Sequence, residues 1–126
     1  MAAKKIIAVV GATGAQGGGL VRSILADPGS PFSVRAIARD VNSDGARALA
    51  AAGAEVVAAD VEDAASIRRA FDGAHGAYCV TFFWAHFSPE KELADAATMA
   101  KAARDAGVAH VIWSTLEDTR RWMKLD

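Results

Sequence analysis

Residues 6–25 read IIAVVGATGAQGGGLVRSIL. Five apolar residues lead into five glycines within positions 11–19, and apolar residues at helical spacing follow at once. Glycine loses more conformational freedom on folding than any other residue, so such a cluster is costly unless bare backbone is needed there. Gly11, Gly14 and Gly17 form G-x-x-G-x-x-G at the junction of a strand and a helix. In a dinucleotide-binding fold the first glycine makes the tight turn, the next lets the backbone approach a pyrophosphate, and the last lets helix pack on strand. The free N–H groups at that helix start then point at phosphate. The same pattern in a turn that holds no ligand is the structural alternative, and the strand–turn–helix context favours the phosphate cradle.

Outward from this stretch the chain alternates β-rich and helical runs. Strands are predicted at Lys5–Val10, Phe32–Ala38, Ala54–Ala59, Gly76–Phe83 and Val108–Thr115. Helices are predicted from Leu20 to the stop at "DPG", over Ala46–Ala52, over Asp63–Gly73, and over Pro89–Ala106 with Ser88 as N-cap. Strand–helix alternation with short loops implies right-handed βαβ units and a parallel sheet. The expected fold is α/β, a Rossmann-type doubly wound sheet of five strands in the order 3-2-1-4-5, forming a single domain over residues 1–126.

Composition agrees with a globular domain: 126 residues, 52% hydrophobic, 23% charged. A net charge of −1 provides no basic field for direct nucleic-acid contact. The lone cysteine, Cys79, allows no internal disulfide, and neither zinc spacing nor a membrane span is visible, so a cytoplasmic location and no metal are expected.

Ligands in open α/β sheets bind at the carboxyl ends of the strands, where arginine suits an NADP 2′-phosphate and an acidic residue suits an NAD ribose. "AIARD" ends the second strand with Arg39 followed by Asp40, which favours NADP(H) over NAD(H), although Asp40 could still take the ribose. Asp60 and Val61 end the third strand and could border the adenine, with Asp60 equally suited to capping a helix. Thr81 and Phe82 end the fourth strand, on the nicotinamide side or in core packing.

The stretches "VVGATGAQGG", "ARD", "GAEVVAADVED", "GAYCVTFFW" and "VIWSTLE" resemble the NmrA-like family, an atypical branch of the short-chain dehydrogenase/reductases. The resemblance spans essentially the whole chain. It implies NADP(H) binding and either a redox-sensing regulator with a protein partner or a quinone- or isoflavone-type reductase. It also implies cofactor contacts at Gly11, Thr13, Gly14, Ala15, Gln16 and Gly17, the 2′-phosphate at Arg39, adenine-side contact at Asp60 and Val61, and lining by Thr81, Phe82 and Phe83. Three departures stand out. Asn42, Ser43 and Asp44 replace a second basic residue, Ala94 stands where some members place a lysine, and the family's C-terminal substrate lobe is absent from this length.

Catalysis has no visible machinery. Ordinary short-chain dehydrogenases use a Tyr-x-x-x-Lys pair whose lysine tunes the phenol for proton transfer. The one tyrosine, Tyr78, lies in a strand with Phe82 four residues on. Ser114 stands where those enzymes orient substrate; without the tyrosine it is a cofactor-side contact or a strand-end hydroxyl. His75, His86 and His110 show no nucleophile to pair with, and His86, nearest the expected cleft, shows no orienting partner. "TRRWMK" reads as a solvated helix face.

The favoured reading is a redox-sensing or regulatory NADP(H)-binding module without catalysis in this form. The alternatives are a reductase whose missing lobe supplies the catalytic groups, and a non-binding structural remnant. A bare fifth-strand edge beside Trp113 further predicts a homo-oligomer.

Overall fold

The computed structural model describes residues 3–124. The strands are β1 (Lys5–Val9), β2 (Phe32–Ala38), β3 (Glu55–Ala58), β4 (Gly76–Cys79) and β5 (His110–Trp113). The helices are α1 (Ala15–Leu25), α2 (Asp44–Ala51), α3 (Ala64–Ala70), the single turn α4 (Phe83–His86) and α5 (Pro89–Asp105), followed by a 3₁₀ turn at Thr119–Arg121. All four strand pairings are parallel, and the sheet order is β3-β2-β1-β4-β5, as the alternation predicts.

Successive side chains on a strand point to opposite faces, and β1 is apolar on both because helices cover both. Ala8 and Val10 face one core with Ile67, Phe71, Cys79 and Met99, beneath α3 and α5. Val9 faces the other with Val21, Val34 and Leu49, beneath α1 and α2. Arg35 ties β2 to its neighbours. Its Nε donates to Glu55 at 3.0 Å and one terminal nitrogen donates to the Ala70 carbonyl at 2.9 Å, satisfying an acceptor at the end of α3. Among the described residues no helix is long and apolar enough to cross a membrane.

Element ends differ from expectation for identifiable reasons. β4 stops at Cys79 rather than running to Phe83: its last tie to β1 is Val10 N–H to the Tyr78 carbonyl at 3.0 Å, where β1 turns into the glycine loop, and its last tie to β5 is Ser114 N–H to the Cys79 carbonyl at 2.9 Å. The aromatic run beyond becomes α4, where Phe83 packs edge-to-face on Trp84, His86 and Phe87. α2 begins at Asp44 because Ser43 Oγ accepts from Ala46 N–H at 3.2 Å, and α3 begins at Ala64 because Asp63 accepts from Ser66 N–H at 3.2 Å. Both are side-chain N-caps. β5 is shorter than Val108–Thr115 because Val108 N–H donates instead to the Ala103 carbonyl at the end of α5. Its Val111 and Ile112 are exposed at the sheet edge. "TRRWMK" carries the 3₁₀ turn, which Asp118 caps.

The glycines of the opening stretch divide into those geometry requires and those it does not. A Cβ on Gly17 would lie 2.3 Å from the Gly11 carbonyl oxygen, a backbone atom that cannot swing aside. One on Gly19 would meet nothing within 4 Å. Gly17→Ala is expected to cost about 1–3 kcal/mol by overpacking. Gly19→Ala is expected to gain about 0.5–1 kcal/mol from helix propensity. Urea denaturation of the two variants checks both signs.

Candidate functional site

Gly11 has φ +65°, a conformation that disfavours a side chain, and its carbonyl accepts from Gly14 N–H at 2.9 Å. Gly14, in extended conformation, is the N-cap of α1 and has no side chain to cap it with. The first-turn amides of Ala15, Gln16 and Gly17 therefore have neither an intrahelical acceptor nor a side-chain cap. The Val10 amide is tied to β4, and that of Ala12 donates to the Ile37 carbonyl at 3.3 Å, which fixes the loop across the β1–β2–β4 strand ends. The result is a row of N–H groups at the positive end of an 11-residue helix, suited to an anion.

Beside this row lies a cleft of about 370 Å³ over the ends of β2 and β3. Six of the sequence-predicted residues line it together: Gly11, Thr13, Arg39, Asp60, Val61 and Phe82. Asp40 does not. Its Oδ1 accepts from Asn42 N–H at 2.8 Å, and the following Ser43 and Asp44 start α2. The positions that lack a second basic residue are thus occupied in starting a helix. Asp60 keeps one oxygen in a similar turn, accepting from Glu62 N–H at 2.9 Å.

The other expected residues lie outside the cleft. Gly14, Ala15, Gln16 and Gly17 form the helix start on its far side. Thr81 Oγ donates to Glu92 of α5. Phe83 belongs to the aromatic cluster of α4. Ser114 Oγ donates to Gln16 Oε1 at 2.8 Å.

Of the far wall of the cleft, only His86 is visible in the sequence. Glu62, His86, Lys91 and Asp95 all line it. Lys91 Nζ donates to Glu62 at 2.6 Å and to Asp95 at 3.5 Å, and the hydrogen bond to Glu62 is the chief cause holding its ammonium above the ordinary lysine range. The available signal was the Lys91–Asp95 spacing, one turn apart in the first half of a capped helix. Ala94, by contrast, faces a separate groove with Ala64, Thr98 and Lys101. The lysine that reaches the cleft is Lys91, three residues earlier. His86 also has the partners that the sequence hid. Its Nδ1 accepts from Ser88 N–H at 3.0 Å, and its Nε2 lies 3.9 Å from both the Glu92 and Asp95 carboxylates.

The NmrA-like family model matches residues 3–124. The NmrA-like oxidoreductase FrzB of Cladobotryum sp is 43% identical over 114 residues, which are 87% of this chain and 33% of FrzB. This chain spans about a third of the length of the curated relatives it matches. Two structures of the negative transcriptional regulator NmrA, in complex with NAD and with NADP, each superpose with a TM-score of 0.80 at 30% identity, covering 97% of this chain and 36% of that one. The Citrobacter sp. triphenylmethane reductase complexed with NADP(H) superposes with a TM-score of 0.71 at 34% identity, over 86% of this chain and 36% of that one.

The acid–base inventory is sparse. Tyr78 Oη donates to Gln16 Oε1 and has no lysine beside it, and no cluster of described residues could hold a metal ion. Cys79 is fully buried, and burial pushes its thiol up to about 12. The thiolate is the nucleophile, so this sulfur is inert at neutral pH. The unfolded thiol ionises near 9.0. The folded chain therefore holds an extra proton above that point, and stability falls as pH rises from there toward 12. At pH 9.0, where the unfolded thiol is about half ionised, iodoacetamide is expected to leave the folded chain unmodified and to label it after unfolding in guanidinium. Rapid labelling of the folded chain would contradict this account of Cys79.

Proposed function

The chain belongs to the NmrA-like family, and from that premise we propose that it binds a nicotinamide dinucleotide, NADP(H) in preference to NAD(H), as a redox-sensing or regulatory module that performs no hydride transfer in this form. The observation that carries the preference is the placement of Arg39 in the cleft while Asp40 is held in the turn before α2. The fit of the residues supports the ligand. The amides of Ala15, Gln16 and Gly17 would receive the pyrophosphate, Thr13 and Arg39 the 2′-phosphate, and Asp60 and Val61 the adenine edge. Arginine suits the phosphate because its planar fork donates two parallel hydrogen bonds. When bound, the dinucleotide would supply a hydride donor or acceptor. The chain's own residues bind and orient it, and none is placed to move the accompanying proton.

A second reading, a reductase, is supported by the relatives named as oxidoreductases; there the catalytic groups come from parts of the protein outside this sequence. Turnover of a quinone with NADPH by this chain would favour it. The exposed Val111 and Ile112 on the β5 edge support association with a second copy. Static light scattering is expected to give a mass of at least twice the chain, and a single-chain mass would remove that part of the proposal.

Calorimetric titration tests the cofactor. NADP⁺ is expected to bind more tightly than NAD⁺, and Arg39→Ala to weaken NADP⁺ about 10- to 100-fold, the range of a charge-assisted hydrogen-bond pair, with NAD⁺ far less affected. Binding of neither nucleotide by the parent chain would leave the glycine loop as scaffold alone.

A further inference from the structure

The side-chain carbonyl of Gln16 is held from two sides. Tyr78 Oη, on β4, donates to Gln16 Oε1, and Ser114 Oγ, just past β5, donates to the same oxygen at 2.8 Å. The two donors come from adjacent, paired strands, so the amide is pinned over β4 and β5. Tyr78 is buried in the core beneath α1, and its hydroxyl is the single tyrosine hydroxyl of the chain. Gln16 itself is exposed. With Oε1 so occupied, Nε2 on the other branch of the amide carries two N–H donors that meet no acceptor among the described residues.

The location gives this donor a use. The cleft with Arg39, Asp60 and Val61 lies over β2 and β3, on one side of the glycine turn. Gln16 lies on the other side. A dinucleotide in a doubly wound sheet crosses the point where strand order reverses, here between β1 and β4, with one nucleotide on each side. The side over β4 and β5 receives the second nucleotide, whose phosphate and ribose present acceptor oxygens. A free glutamine side chain gives up considerable rotamer freedom when a ligand fixes it, and one already held by two hydroxyls has lost that freedom beforehand.

Building on the dinucleotide reading above, we propose that Tyr78 and Ser114 are positioning residues that hold the Gln16 amide so that its Nε2 donates to a phosphate or ribose oxygen of the nicotinamide-side nucleotide. The trio then favours the whole dinucleotide over its adenosine half.

The test compares two ligands by calorimetry: NADP⁺, and adenosine 2′,5′-bisphosphate, which has the adenine, the ribose and both of its phosphates but no second nucleotide. Gln16→Met keeps the side-chain length and removes the amide. It is expected to weaken NADP⁺ about tenfold and the bisphosphate less than about twofold. Tyr78→Phe is expected to weaken NADP⁺ about threefold in the parent chain and to have no further effect in the Gln16→Met background, since a residue that acts through another shows full coupling in a double-mutant cycle. Ser114→Ala, a partly buried position past the end of β5 where only a hydroxyl is removed, repeats the measurement should Tyr78→Phe fail to fold. Equal weakening of both ligands by Gln16→Met, or an unchanged Tyr78→Phe penalty in the Gln16→Met background, would overturn the proposal. A parent chain that binds the bisphosphate and gains nothing from the second nucleotide would overturn it while leaving the cleft reading intact. Binding of neither ligand would overturn the dinucleotide reading and this one with it.

Discussion

The packing of Gly17 against the carbonyl of Gly11 sets the rest of the site. With 2.3 Å available to a Cβ there, only a bare Cα allows α1 to start where it does. That start directs the open amides of its first turn across the ends of β1 and β4. It also places Gln16 within reach of Tyr78 and Ser114, and leaves the opposite side of the turn clear for the cleft. Gly11 contributes the complementary constraint. Its positive φ reverses the chain tightly enough for its carbonyl to meet Gly14 N–H, and the Cβ it lacks would press within 3.1–3.3 Å of Val80 and Phe82. One close approach thus connects the sheet, the helix and both halves of the crevice.

The features legible in the sequence are those that depend on local chemistry. Apolar runs too uniform for a one-sided sheet imply strands buried on both faces, and their alternation with helices implies parallel order. Glycine spacing marks the turn, and Ser88–Pro89 marks the start of α5. Legibility weakens where an end depends on a neighbour. β4 ends where β1 turns into the glycine loop and β5 makes its last tie at Cys79, which the apolar run VTFF cannot express. Ser43 reads as part of a polar loop and Asp63 as the first helical residue until their hydroxyl and carboxylate are seen to cap a helix. The far wall of the cleft was hidden for another reason. Glu62 and Lys91 are 29 residues apart and meet only because α3 and α5 share one face of the sheet.

That wall has a balance of its own. Lys91 is a single ammonium beside Glu62 and Asp95, and its bond to Glu62 holds it above the ordinary lysine range. Exposed ion pairs add little stability, so the value of the pair is positional: it closes the end of the cleft between the β3 loop and α5. The bridge persists below the ordinary lysine pKa and is lost as pH rises through the elevated one. His86 sits behind it, its Nδ1 accepting from the Ser88 amide and its Nε2 3.9 Å from the Glu92 and Asp95 carboxylates. The carboxylates of Glu62 and Asp95 are thus engaged with Lys91, while Arg39 lines the same cleft.

The two halves of the crevice are unequally built, and the inequality bears on regulation versus catalysis. The side over β2 and β3 is a walled cleft. The side over β4 and β5 offers Gln16 and Ser114, with its one phenol bonded to an amide rather than free to exchange a proton. On the proposed reading, the adenine and the 2′-phosphate would rest on the walled side, and the redox state of a nicotinamide would be read on the other. A ligand shifts a conformational equilibrium only by its differential affinity for the two states. For a sensor, that difference must arise where the oxidised and reduced rings differ, on the β4–β5 side. There the hydroxyls of Tyr78 and Ser114 are both spent on Gln16 Oε1, which on the proposed reading suits them to holding a recognition group.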